Sequence, residues 1–194
     1  MKVLIDNGHG ENTPGKCSPD KRLKEWAYTR EIAGRVVDRL LEKGIEACRI
    51  VEEAADVPLA ERCRRANDLY RRSERKAILV SIHCNAAGLG TSWMHARGWS
   101  VYVAGNASGN SRQLAACLAE AAGAQQVTVR RPTPKQLYWE QNLAVCRDTN
   151  CPAVLTENFF QDNREDVGFL LSEEGKETVV GIHVEGIVKY LQTK

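Results

Sequence analysis

Apolar residues recur along this chain in two alternating rhythms, one of short runs and one of three- and four-residue steps. Val3-Leu4-Ile5 is a short run stopped by the turn formers Asp6-Asn7-Gly8 and predicts a buried strand. Over residues 24–43, Ile32, Ala33, Val36, Val37, Leu40 and Leu41 lie on one helical face, and Gly44 ends the run. A second strand is predicted over 45–51. Asp56 can cap the next helix, with Pro58 near its first turn and an end near Arg72. Residues 77–82 are apolar nearly throughout, the mark of a strand covered on both faces. A strand over 99–103 and an alanine-rich helix over 111–122, closed by Gly123, come next. Weaker strand patterns cover 127–129 and 143–145, and 153–155 reads as another inner strand after Pro152. Ser172 is positioned to cap a C-terminal helix with Glu173 and Glu174 in its first turn, and Val180, Val184, Ile187, Val188 and Leu191 form its core face.

Strand and helix alternate without repeats, linkers or low-complexity tracts. The expected class is therefore α/β: a single three-layer domain spanning 1–194, with a mostly parallel central sheet and helices on both faces. Ligands of such sheets bind at the carboxyl ends of the strands.

Composition narrows the field. A chain of 194 residues, 43% hydrophobic and 27% charged, can bury a core without help from disulfides or metal, so any metal needs a chemical reason. The net charge of +2 leaves no basic footprint for nucleic acid. No apolar run is long enough to span a membrane, and the opening Met1-Lys2-Val3-Leu4-Ile5 is too short for a signal peptide. Seven cysteines, an odd number with no Cys-x-x-Cys pair, suit reduced and mostly buried thiols better than a disulfide framework.

Ionisable residues gather where the strands end. The first strand leads into Asp6-Asn7-Gly8-His9-Gly10, the third into Ser81-Ile82-His83-Cys84-Asn85, and the late one into Leu155-Thr156-Glu157-Asn158. In a parallel sheet His9, His83 and Glu157 share one edge, and Glu25, at the start of the first helix, can fold back to it. Two histidines and a carboxylate are a common zinc set for hydrolysis, holding the ion while leaving a position open. A further carboxylate can carry a proton from water to a leaving amine. Each residue also has an ordinary reading: a solvated turn histidine at His9, a satisfied core histidine at His83, a first-turn acid at Glu25, a surface carboxylate at Glu157. Pattern alone does not select which acid binds and which catalyses. Cys84 is no partner for His83, because strand neighbours point to opposite faces. His183 and Glu185, two apart on a helix, do not share a face and read as ordinary.

At these residues the chain resembles the zinc-dependent N-acetylmuramoyl-L-alanine amidases of the amidase-3 family, in order and over nearly its whole length. Ile5-Asp6-Asn7-Gly8-His9-Gly10 is similar to the first metal motif, Glu25 to the second ligand, Arg62 with Ala66-Asn67 to a short arginine-to-Ala-Asn signature, and Ser81 to Ala86 to the third ligand motif. Gly98 with Val101-Tyr102 is similar to the next strand, Pro152 to Glu157 to the segment ending in the catalytic glutamate, and Asn163 to the asparagine after it. The resemblance implies a phosphorylase/hydrolase-like fold, Zn2+ bound by His9, Glu25 and His83, and Glu157 as general base and acid. It also implies hydrolysis of the amide joining N-acetylmuramic acid to L-alanine in peptidoglycan. A monomeric enzyme made in the cytoplasm and reaching the wall after release, as a phage or prophage lysin does, is one expected setting, and a bacterial wall-remodelling enzyme is the other. A zinc peptidase cutting within the stem peptide and an inactive muropeptide-binding module are the alternatives; the presence of all four residues weighs against the second. Asn7, Glu11 and Phe159 depart from the family pattern, the last standing where glycine is usual. Segments 12–20 and 88–97 are candidate groove walls, with Trp93, His95 and Trp139 as candidate sugar or peptide contacts.

Overall fold

The computed structural model describes residues 1–194. In chain order the elements are β1 (Lys2–Asn7), α1 (Glu25–Glu42), β2 (Ala47–Arg49), α2 (Leu59–Arg72), β3 (Ala77–Asn85), β4 (Ser100–Val103), α3 (Gly109–Ala124), β5 (Trp139–Glu140), α4 (Ala144–Arg147), β6 (Ala153–Phe160), α5 (Arg164–Leu171) and α6 (Glu173–Leu191). The six strands form one sheet in the order β2-β1-β3-β6-β4-β5. The first four are mutually parallel, while β4 runs antiparallel to β6 and carries β5 parallel to itself. The architecture is thus the expected α/β one, mostly parallel, with helices on both faces.

The two faces bury unequal cores. On one, α1, α3 and α6 contribute Ile32, Val36, Leu40, Leu114, Leu118, Val180, Val184 and Ile187 to a cluster of 32 buried residues. On the other, α2 and α4 close a cluster of 13, including Leu4, Leu79, Ala66, Val145 and Leu155. The alternation within β3 explains the split: Ile78, Val80 and Ile82 join the first core and Leu79 the second. Cys84 continues the first set and is buried away from the face of His83, and all seven cysteines are free.

Several local expectations are corrected. Residues 143–145 are not a strand: Ala144–Arg147 form one helical turn, α4, with Thr149 Oγ1 donating to the Val145 carbonyl at 2.6 Å. Three apolar residues in a row do not distinguish the two conformations. Residues 127–129 reach the sheet only through a bridge between Val129 and Trp99. The backbone there approaches so closely that a Cβ on Gly98 (φ +101°) would sit 2.7 Å from the Thr128 carbonyl oxygen. Asp56 does not cap α2, which starts after Pro58 without a side-chain cap; its carboxylate faces Arg62 and Thr13 instead. Gly123 lies inside α3, whose N-terminus is capped by Ser108. Ser172 does cap α6, accepting from the Gly175 N–H. Helix α5, not read from the pattern, starts at Asn163, whose side chain accepts from the N–H groups of Glu165 and Asp166.

Candidate functional site

The carboxyl ends of β1, β3 and β6 meet at one edge of the sheet. β1 pairs with β3 up to Asn7 and Ile82, and β3 pairs with β6 so that His83 lies beside Glu157. In a parallel ladder paired residues present the same face, so both side chains point toward α2 and α4. Past β1 the chain turns at Gly8, whose N–H donates to the Ile82 carbonyl and whose carbonyl accepts from Thr29 Oγ1. A Cβ at Gly8 would lie 2.4 Å from the His83 ring, so glycine is what lets the turn pass the imidazole. His9 follows with φ +60°.

Glu25 comes to the same place from the opposite face, at the first residue of α1. It is completely buried, and its backbone N–H is held by the Lys16 carbonyl. Glu25 Oε1 lies 3.5 Å from His9 Nε2 and 3.3 Å from His83 Nδ1, and accepts from the Cys84 N–H at 3.0 Å. The two imidazoles stand nearly perpendicular, centroids 4.9 Å apart. One ligand atom from each of the three residues lies within 4.8 Å of the others. The structure therefore brings His9, Glu25 and His83 together, with Glu157 on the neighbouring strand.

These groups are electrostatically coupled. Burial lowers the His9 imidazole to a pKa of about 4, with Glu25 pulling upward. Burial also opposes the charge on Glu25, but the hydrogen bond and charge of His83, the charge of His9 and the Cys84 N–H outweigh it, and the carboxyl sits below its ordinary value. His83 shows the converse: burial disfavours its cation, and Glu25 nevertheless holds its pKa up. Glu157 is pushed up to about 7 by burial, with Glu25 adding to the rise and His83 opposing it.

Two imidazoles and a carboxylate suit a divalent ion by donor type, with the three ligand atoms within 4.8 Å of one another before any ion draws them together. Zinc bonds of about 2.0–2.1 Å place adjacent ligand atoms roughly 3.3–3.4 Å apart, close to the two separations from Glu25 Oε1. Glu25 Oε2 and Glu157 Oε2 are buried and lack a hydrogen-bond partner. Buried carboxylate oxygens of this kind need a compensating group.

A cleft of about 420 Å³ opens over the site. Asp6, His9, Asp56, Arg62, His83 and Glu157 form its polar side, and Val57, Pro58, Leu59, Leu143, Ala144, Val145 and Leu155 its apolar wall. The expected groove contacts do not line it. The Trp93 ring lies under the Arg164 guanidinium, Trp139 stacks near Tyr102 and donates to the Arg130 carbonyl, and His95 is exposed. The wall comes instead from the start of α2 and from α4; the only signal for the latter was the apolar triplet read as a strand. Phe159 has φ +62°, which is why glycine would be at ease there; the ring is held by packing against Phe169 at 5.0 Å between centroids.

The chain is also similar to known proteins over nearly its whole length. A family model described as N-acetylmuramoyl-L-alanine amidase matches residues 3–189. An endolysin of Bacillus phage SPP1 is 29% identical over 196 residues, covering 99% of this chain and 66% of that protein, so the chain spans just under two thirds of that relative's length. The crystal structure of an N-acetylmuramoyl-L-alanine amidase from Clostridium difficile 630 superposes with a TM-score of 0.86 at 26% identity, covering 100% of this chain and 98% of the other. The catalytic domain of CwlV, an N-acetylmuramoyl-L-alanine amidase from Bacillus (Paenibacillus) polymyxa var. colistinus, shares the fold with a TM-score of 0.82 at 23% identity, over 100% of this chain and 99% of that one. No helix is long and apolar enough to cross a membrane.

Proposed function

The chain belongs to the amidase-3 family of N-acetylmuramoyl-L-alanine amidases, and from that premise we propose that residues 1–194 act as one catalytic unit on peptidoglycan. The bond cleaved is the amide between the lactyl group of N-acetylmuramic acid and L-alanine of the stem peptide. His9, Glu25 and His83 hold Zn2+, and Glu157 carries the proton. The observation that supports this reading best is the convergence of two imidazoles and a buried carboxylate beside a second, unpartnered carboxylate, in a cleft with one apolar wall.

Bound zinc would supply Lewis-acid polarisation of the scissile carbonyl. The chain's own residues supply the rest. Burial keeps Glu157 near neutrality in proton affinity, so its carboxylate can take a proton from attacking water and return it to the departing amine. Glu25 meets both imidazoles from outside the cleft lining, which leaves the cleft side of the site open to substrate. The apolar wall excludes water along one side and suits the methyl-bearing lactyl and alanyl groups. The likeness to a phage endolysin supports a lysin-like role, in which the enzyme meets the wall after release from the cell.

Mass spectrometry of purified peptidoglycan after digestion tests the reaction. The expected products are stem peptides with free L-alanine amino termini and sugar strands of unchanged mass. Cleavage inside the stem peptide would make the enzyme a peptidase instead.

A further inference from the structure

Helix α2 is a mostly polar surface helix that turns only Arg62, Cys63 and Ala66 fully inward. An arginine in that row is unexpected, since a buried guanidinium is costly unless every donor is met. Here every donor is met. Arg62 is 2% exposed, and its five N–H groups find five acceptors. Nε donates to the Val57 carbonyl at 2.7 Å. Nη1 donates to Asp6 Oδ1 and to the Asn7 carbonyl, both at 2.7 Å. Nη2 donates to the His9 carbonyl at 3.1 Å and to Asp56 Oδ1 at 3.0 Å.

Three of these acceptors, on Asp6, Asn7 and His9, belong to the segment that carries the His9 imidazole. That residue has φ +60°, a left-handed backbone uncommon outside glycine. Its carbonyl is gripped twice, since Arg30 Nη1 also donates to it at 3.0 Å. The second oxygen of Asp6 accepts from Ser81 Oγ at 2.5 Å, on β3 two residues before His83. The guanidinium therefore ties the His9 turn to the strand that bears the other imidazole.

We propose that Arg62 is the positioning residue that presets His9 as a metal ligand, with Arg30 completing the grip on the His9 carbonyl. The inference rests on the metal site proposed above. A grip of this kind lets the chain reach the bound geometry before the ion arrives, so its loss is felt in metal affinity rather than only in folding. Lysine at position 62 keeps the charge but not the planar fork, so it cannot serve five acceptors.

The test is zinc affinity by chelator competition on purified chains, with the visible spectrum of the Co2+-substituted protein as a second readout. Arg62→Lys should bind zinc about 10–100-fold more weakly, the range for residues that orient a ligand, and should change the cobalt spectrum. Arg30→Gln should shift both in the same direction. Asn67→Ala is the control: Asn67 lies on the same helix but holds the Asp148 carbonyl and the Asn150 N–H, and its loss should leave zinc affinity unchanged. If Arg62→Lys does not fold, Arg30→Gln decides alone. Native affinity and spectrum in folded Arg62→Lys and Arg30→Gln would overturn the proposal while leaving the metal site standing. Failure of the unaltered chain to bind zinc would remove both.

Discussion

His183 makes the stability of this fold sensitive to mild acid, by an amount that can be worked out in advance. Its side chain lies fully buried between α6 and β6. Nδ1 lies 2.7 Å from the Val179 carbonyl and Nε2 2.9 Å from Thr156 Oγ1. A carbonyl only accepts, so Nδ1 carries the proton and Nε2 accepts from the threonine hydroxyl. That hydroxyl oxygen in turn accepts from Asn158 Nδ2, and Asn158 Oδ1 accepts from the Trp99 indole. Thr156 and Asn158 flank Glu157, so the neutral imidazole anchors the strand that carries it. Burial lowers the His183 pKa from 6.5 to about 4. The unfolded chain therefore takes up the proton first as pH falls. The stabilising contribution is whole above pH 6.5 and fades as pH drops toward 4. At about 1.36 kcal/mol per unit it totals roughly 3 kcal/mol, of which about 2 kcal/mol is gone by pH 5. Urea unfolding of the metal-free native chain and of His183→Gln, compared across pH 5 to 7.5, isolates it. The upward shift of Glu157 works in the opposite direction, but both chains share it and it cancels in the difference. The native advantage over the variant should shrink by about 2 kcal/mol on going to pH 5. A difference that stays constant to within about 0.5 kcal/mol would refute the assignment of a buried neutral His183.

Three further outcomes are expected of the site. Chelation should abolish turnover and added zinc restore it, whereas full activity in excess chelator with no bound metal would reject the mechanism. Glu157→Gln should retain zinc yet lose about 10²–10⁴-fold in kcat, because only the proton carrier is gone; ordinary muropeptide hydrolysis by that variant would reassign the role. Gly8→Ala forces a Cβ to within 2.4 Å of the His83 ring, so the imidazole must move by about 1 Å to recover normal contact. Equilibrium dialysis should then find weaker zinc binding, and an unchanged affinity would mean that the turn rather than the ring gives way.

Much of this architecture is written in local pattern. The period of the apolar residues sets α1, β3, β6 and α6, because each must bury one face or both, and Ser172 marks the start of α6 through a single N–H. The four candidate residues are legible for a related reason. Strand ends of a parallel sheet lie along one edge, so the positions of His9, His83 and Glu157 follow once the strands are known. Where local preference was weak, the pattern failed: Leu143-Ala144-Val145 became a helical wall, and the cap of α2 was misjudged because Asp56 has a stronger partner in Arg62.

What the linear chain leaves open is decided by contacts between distant segments. That Glu25 is a buried partner of both imidazoles, rather than an exposed first-turn acid, depends on α1 packing behind β3 and carrying its first residue to the sheet edge. The left-handed backbone at His9 and Phe159 opposes local preference, and distant residues meet it there: guanidinium groups bond the His9 carbonyl, and the Phe159 ring packs on Phe169. Periodicity reports what each segment gains by itself from turning its apolar side inward. Strain and buried charge are sustained by residues far away in the chain, and only the folded arrangement identifies them.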